Sequence, residues 1–360
     1  MLNVDSVARN RTARPAEVHL FLIWHNALDH AADILTHVER RFGVLEVVDV
    51  EWSQARFAEN LTRFYRDMLP PGSDKERHCG VGPFRLIVVE DVAPRHARRR
   101  TSRGSSVVNA RMFDARKKYR SWTGGGHRVH GSLTTREADH DLFLLLGRRA
   151  GFYQGMKRRE RALSSRRRAH DLLGADGWES MGQLLTALDV TVDSVVLPAA
   201  REAAADSLEL LVGHRWWAAV TANAWERGAQ FEAGEIVRIG SGEVRLRLRS
   251  PDDDPVRKPW LEEVLRRRVP ADEGYVLGPV DEFYVRLWAA TMDDSRPSPG
   301  AVAELDRLAT AHSLPRGDYS DRRFAESVLD EVVASTSREG LHEHPGKRRL
   351  PFLRRYARRS

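Results

Sequence analysis

The chain is poorest in cysteine. Cys79 is alone among 360 residues, which excludes an intrachain disulfide and a zinc site built from several thiolates. A lone thiol of this kind is expected as a small buried residue. Long apolar runs are missing too. Nothing approaches the roughly 18 residues needed to cross a bilayer, and Met1 to Pro15 holds no apolar segment like that of a secretory leader. These absences predict a cytoplasmic protein with no membrane span. No helix-turn-helix, zinc-finger or aromatic RNA-binding signature occurs. The cationic excess, 58 Lys and Arg against 51 Asp and Glu, falls in blocks: Arg98 to Arg100, Arg166 to Arg168, Arg266 to Arg268 and Lys347 to Arg359. Blocks rather than one continuous face favour a nucleotide or phosphorylated small molecule over nucleic acid as partner, and most of them suit a solvated surface. Homo-oligomerisation stays open.

Hydrophobic residues at 41% and charged residues at 30% are the balance of a globular protein, and the length allows two domains with ordinary cores. Val18 to Ile23 suits a buried strand. Leu28 to Phe42 carries Ala31, Ile34, Leu35 and Val38 at helical spacing, with Gly43 where a C-cap glycine would sit. Val44 to Trp52 predicts a second strand, and Ser53 can cap a helix carrying Phe57, Leu61 and Phe64. After the break at Pro70-Pro71-Gly72, Phe84 to Val89 reads as a third strand, Asp91 to Ser106 as a basic loop, and Val107 to Trp122 as helix mixed with loop. Thr123-Gly124-Gly125-Gly126 leads to His127-Arg128-Val129-His130-Gly131-Ser132, and a helix from about Thr134 runs to Gly147.

His130 is the residue with chemistry to explain. An imidazole near its ordinary pKa can be neutral at pH 7, so one ring nitrogen is a nucleophile when a partner fixes the other. Arg100, Arg103, Arg120 and Arg128 supply the planar donors that phosphate recognition favours. His127 and His130, with His140 and Asp141 following, also allow a metal reading, which the arginines oppose, so no metal site is assigned.

The order strand, helix, strand, helix, strand, then a histidine-bearing segment and a helix, together with His130-Gly131-Ser132 before a Glu-bearing helix, resembles the nucleoside diphosphate kinases. The resemblance spans roughly His19 to Gly147. The family's Arg-Phe before its second strand stands here as Arg41-Phe42, and its Gly-Pro before the third as Gly82-Pro83. The resemblance implies a ferredoxin-like fold with His130 as the phosphate-accepting residue and Glu137 orienting it. It also implies phosphate binding by Arg100 and Thr101, with Arg103 close by, and by a further cation that is Lys117 or Arg120. The chain departs from the family where Trp24-His25-Asn26-Ala27 replaces a Lys-Pro-Asp-Ala motif, where His127 and Arg128 displace an asparagine, and where Leu133 replaces an aspartate. Glu137 falls one residue later than the family glutamate. These departures imply a divergent member with a rebuilt nucleotide site.

Gly151 to Asp176 reads as a basic, mostly helical connector. Beyond it, a helix at Glu179 to Leu188, strands at Val190 to Leu197 and Leu208 to Val212, a helix at Trp216 to Arg227 and a hairpin about Gly240-Ser241-Gly242 predict a second α/β domain over residues 178–295. Asp206-Ser207-Leu208-Glu209 distantly resembles the carboxylate strand of the nucleotidyltransferase superfamily, which implies magnesium held near a nucleotide. The glycine-serine motif is missing there, and the later strand Val244 to Arg249 carries Arg245, Arg247 and Arg249, so a degenerate module is expected. Asp252-Asp253-Asp254 reads as a polar turn. Residues 296–340 look helical and 341–360 form a basic tail.

The expected architecture is therefore α+β: a ferredoxin-like nucleoside diphosphate kinase-type domain over residues 16–150, a connector over 151–177, and a nucleotidyltransferase-like domain with helical additions. The expected function is a nucleotide- or phosphate-dependent transferase, a phosphotransferase with His130 as phosphate acceptor or acid/base. Its cofactor would be a nucleotide, with magnesium entering on the nucleotide phosphates where it is used. Two alternatives stand beside it: a non-catalytic anion-binding or assembly protein, and a nucleotidyltransferase acting through Asp206 and Glu209.

Overall fold

The computed structural model describes residues 15–102, 104–154, 166–197, 207–224, 235–292 and 297–339. Its architecture is α+β, and the chain divides into two compact units, Met1–Ala175 and Asp176–Ser360.

The first unit is built on β1 (Glu17–Ile23), α1 (Ala31–Glu39), β2 (Gly43–Glu51), α2 (Phe57–Tyr65), α3 (Asp74–Cys79) and β3 (Phe84–Asp91). There follow β4 (His96–Thr101), β5 (Gly104–Asn109), α4 (Ala110–Trp122), β6 (Val129–Gly131), α5 (Thr135–Leu146), α6 (Ala150–Gln154) and β7 (Arg166–Ala169). The sheet order is β6-β1-β3-β2-β7. Neighbours are antiparallel from β6 to β2, and β7 joins β2 in parallel. Every residue of β1 after Glu17 is buried, because both faces of the sheet are covered. On one face Phe21, Ile23, Ile87 and Val89 pack with Ile34 and Val38 of α1 and Met112, Ala115 and Tyr119 of α4. A bulge between Val44 and Glu46 brings Val44 and Val47 onto this same face although they are three residues apart. On the other face Leu20, Leu22, Trp24, Leu86 and Val88 are fully buried. Trp24 sits there among Trp52, Phe57, Phe64 and Phe84, and its indole N–H donates to Tyr65 Oη at 3.1 Å. The position where the resemblance places a phosphate-contacting lysine is therefore aromatic core.

Several expectations are corrected. Helix α1 is shorter than Leu28 to Phe42, being preceded by a 3-10 turn over His25–His30, and Gly43 opens β2 rather than capping a helix. The basic stretch after Asp91 is a β-hairpin, β4 on β5. Its alternation is masked because His96 to Thr101 is almost wholly polar, and the ribbon is held by packing on α4, where Val108 of β5 is buried with Met112 and Ala115. Helix α4 follows β5 directly, Asn109 accepting from the N–H groups of Arg111 and Met112 as its N-cap. Arg166–Ala169, read as part of a helical connector, is an edge strand whose arginines stay largely solvated. Residues 155–165 of that connector lie outside the described residues.

The second unit begins with α7 (Met181–Thr191), β8 (Ser194–Val196), β9 (Ser207–Val212), α8 (Arg215–Ala222), β10 (Glu235–Ile239) and β11 (Gly242–Arg249). The sheet runs β10-β11-β9-β8, with β11 and β9 parallel and the others antiparallel. The expected strand Val190 to Leu197 begins later than expected: Val190 and Thr191 end α7, and the strand is β8, Ser194–Val196. The helix expected over Trp216 to Arg227 is α8, which ends sooner, at Ala222, where Asn223 takes the left-handed conformation. Helices α9 (Lys258–Arg266), α10 (Pro279–Met292), α11 (Pro299–His312) and α12 (Arg322–Glu339) share one core with β8 and β9, in which Trp260, Phe283 and Trp288 are fully buried. The helices beyond residue 296 are thus part of this core. Among the described residues no helix is long and apolar enough to cross a membrane.

Candidate functional site

His130 lies on β6 opposite Leu22 of β1 and shares that residue's face of the sheet. This aims the imidazole at α2 and α5. Phe64 and Tyr65 meet the ring edge to face at 5.1 and 5.6 Å between centroids. Asp141 Oδ2 lies 2.7 Å from Nε2. Burial, together with Arg116, Arg120 and Arg66, outweighs the pull of Glu137 and brings the His130 pKa down to about 3. The ring is thus neutral, and with Asp141 on Nε2 the proton belongs on that nitrogen. Among the described residues no hydrogen bond reaches Nδ1 of His130, so its lone pair is uncommitted.

Two arginines flank this ring because α4 runs beside β6. Arg116 donates through Nη1 to the Gly131 carbonyl at 3.3 Å, and Arg120 through Nε to the Val129 carbonyl at 2.8 Å. They are four residues apart and share one face of the helix. Burial lowers the Arg116 pKa to about 10 and also lowers that of Arg120, without removing the charge of either at pH 7. Both terminal amino groups of Arg120 are unspent among the described residues. The site therefore offers guanidinium donors beside an unprotonated nitrogen, a combination suited to an anion.

Glu137 is used differently from what the resemblance implies. One of its carboxylate oxygens accepts from the Leu133 N–H at 2.7 Å, while its own N–H donates to the N-cap Thr134 hydroxyl at 3.1 Å. The residue thereby fixes the start of α5, and the hydrogen bond on His130 comes from Asp141, one turn later on the same helix face. His130, Glu137 and Asp141 can bring ligand atoms within 4.8 Å of one another. Two carboxylates and an imidazole could hold a cation, but Arg66, Arg116 and Arg120 impose a third positive charge against two negative ones.

The other candidates are dispersed. Arg128 turns back on the glycine loop, donating to the Thr123 carbonyl, while its own carbonyl accepts from Trp24 N at 3.0 Å. Gly124, Gly125 and Gly126 all have positive φ, which a side chain would resist. Lys117 is exposed on α4. Arg100 and Thr101 lie near the tip of the β4–β5 hairpin, where the Thr101 hydroxyl donates to the Gly104 carbonyl at 2.9 Å. Arg103 lies outside the described residues. Arg120→Ala is therefore expected to weaken inorganic phosphate binding by roughly 1.5 to 3 kcal/mol, the scale of one charge-assisted hydrogen bond. Arg100→Ala should leave it unchanged. Calorimetry on both variants checks the contrast, and equal losses would move the anion to the hairpin.

Ser132, which follows the histidine motif, belongs to a buried network. Its hydroxyl accepts from Leu20 N and meets His19 Nδ1, each at 3.1 Å, and His19 Nε2 faces Glu17 at 3.1 Å. Asn109 donates to both Glu17 and Asp91, and Arg111 to Asp91. This network fastens the hairpin and α4 to the sheet, which fixes Arg116 and Arg120 relative to His130.

In the second unit Glu209 is ion-paired with Arg249 across β9 and β11. Asp206 lies outside the described residues. Asp252, Asp253 and Asp254 form a turn in which Lys258, Arg215 and Arg257 each neutralise one carboxylate. Compared with models of protein families and with curated proteins, the chain matches none.

Proposed function

We propose that the first unit is a nucleotide- or phosphate-dependent phosphotransferase of nucleoside diphosphate kinase type, with His130 as the phosphate acceptor. One observation carries this reading. A neutral imidazole is fixed at Nε2 by Asp141, leaves Nδ1 unbonded, and lies beside two arginines with unspent donors. The strand order β6-β1-β3-β2 with antiparallel neighbours supports the ferredoxin-like arrangement that the resemblance implies.

In the transfer, the Nδ1 lone pair attacks the terminal phosphorus of a phosphoanhydride. The N–P bond forms, the bond to the bridging oxygen breaks, and the leaving diphosphate departs with the electron pair. The ring gains positive charge, which Asp141 offsets through the proton kept on Nε2. Arg116 and Arg120 neutralise the phosphoryl oxygens. Magnesium, where used, would enter on the nucleotide phosphates.

The burial of His130, only 4% exposed, favours a second reading in which the unit binds an anion without transferring it. Incubation with γ-labelled nucleoside triphosphates separates the two. An acid-labile, base-stable label on the peptide containing His130 is expected. A protein that stays unlabelled with every common nucleotide keeps only the binding reading.

The second unit is proposed to be a degenerate nucleotidyltransferase-like module, because Arg249 already occupies Glu209. Asp206→Asn and Glu209→Gln should each leave labelling within about threefold of wild type, against the hundredfold or larger loss expected for a catalytic electrostatic group. A collapse in either variant with unchanged folding would make this the catalytic unit.

A further inference from the structure

The Arg120 charge acts on His127 and Cys79 as well as on His130, at a second group made of one cation and two imidazoles. Lys75, on α3, places Nζ 4.0 Å from the centroid of the Tyr65 ring and 2.9 Å from Asp67 Oδ2. Tyr65 is the residue whose ring also touches His130, so it bridges the two groups. On the same helix, His78 lies against His127, with ring centroids 5.6 Å apart. The close approach depends on Gly126, where a Cβ would stand 3.1 Å from the His78 ring. Neither imidazole makes a ring hydrogen bond among the described residues.

The charge around the two histidines is mostly positive. Burial, Lys75, Arg120 and His78 lower the His127 pKa to about 4 against the opposing pull of Asp67. The Cys79 thiol lies beneath, 3.8 Å from the His127 carbonyl, and burial pushes it up to about 12, so it stays protonated and offsets none of this charge. Lys75, His78 and His127 are not used in accepting the phosphoryl group at His130. A single phosphoryl group is already served by Arg116 and Arg120.

We propose that Lys75, His78 and His127, with the terminal amino groups of Arg120, form a second phosphate subsite, so that the group offered to His130 is one end of a phosphoanhydride. The inference rests on the anion-binding reading of His130 and adds the residues that hold the second phosphate of the anhydride. One phosphate lies at His130 between Arg116 and Arg120. The other lies on Lys75 and the two imidazoles, and Arg120 spans both.

Calorimetry of the full chain with inorganic pyrophosphate and with inorganic phosphate, at one pH and ionic strength, tests it. Wild type is expected to bind pyrophosphate at least about tenfold more tightly, the scale of an added charge-assisted contact. Lys75→Gln, and separately the double variant His78→Asn with His127→Asn, should each remove about that factor for pyrophosphate and change phosphate binding less than about twofold. Circular dichroism establishes that each variant is folded, and the two variants alter different segments. Equal affinity of wild type for both anions overturns the subsite, as do losses that are alike for both. Because binding is read without turnover, selective loss of pyrophosphate in a protein that never labels would retain the subsite and remove the phosphate-accepting reading. A labelled protein without selectivity would do the reverse.

Discussion

Asp141→Asn is expected to slow phosphoryl transfer onto the protein by about a thousandfold or more while leaving it folded, and His130→Gln to abolish the label. The carboxylate can only accept a hydrogen bond, so it holds the ring proton on Nε2, 2.7 Å away, and leaves Nδ1 as a lone pair. An asparagine can instead donate to Nε2, which moves the proton to Nδ1 and removes the nucleophile. A wrong tautomer of this kind costs on the order of 10⁴ in the serine-protease triad. The asparagine also fails to offset the charge that the ring gains on phosphorylation. Glu137→Gln is the comparison, since a glutamine oxygen can still accept from Leu133 N, and it should keep most of the rate. Rapid-quench labelling of the three variants gives the answer. Wild-type kinetics in Asp141→Asn, with collapse in Glu137→Gln, would return the orienting role to Glu137.

The sequence carried the frame of the first unit further than the details of its site. The three main strands follow from runs such as Val18 to Ile23 and Phe84 to Val89, since strands covered on both faces are continuous apolar segments. The β4–β5 hairpin was illegible, because Arg98, Arg99 and Arg100 give β4 no apolar alternation to reveal its period, although Val108 of β5 is buried. The edge strand Arg166–Ala169 was hidden for the same reason. Its place is set by pairing with β2, a long-range partner that local sequence does not encode.

In the site, the histidine could be singled out but its neighbours could not be ranked. Arg120 and Lys117 both stand shortly before His130 in sequence; only the helix phase decides that Arg120 faces β6 and Lys117 faces solvent. The pairs Arg116 and Arg120, and Glu137 and Asp141, are each spaced by four, a signal that points to two helix faces converging on one strand. Tyr65 and Lys75 lie more than fifty residues before His130 and carry no such spacing. Their role depends on the break at Pro70-Pro71-Gly72, which turns α3 back so that the ammonium lies over the Tyr65 ring.

Acid should loosen the first unit through His130 before most carboxylates titrate. Folded, the imidazole is held to about 3, whereas its ordinary value is 6.5. Between those values the unfolded chain binds a proton that the folded chain does not. The stability present above about pH 6.5 is therefore lost as pH falls, and the loss is complete near pH 3. By pH 4 the difference is about 3 kcal/mol, taking about 1.4 kcal/mol for each pH unit. His127, held to about 4, acts in the same direction with less weight because its ring is half exposed. In a protein of two units a single melting temperature mixes both, so hydrogen exchange of β1 and β6 peptides is the fitting readout. Protection in wild type should fall by about 3 kcal/mol more than in His130→Gln between pH 7 and pH 4, once intrinsic exchange rates are corrected. The glutamine cannot ionise, yet its amide can still donate to Asp141. Parallel losses in the two proteins would mean that His130 takes up its proton in the folded state as readily as in the unfolded one, so that burial beside Arg116 and Arg120 is not what keeps the ring neutral.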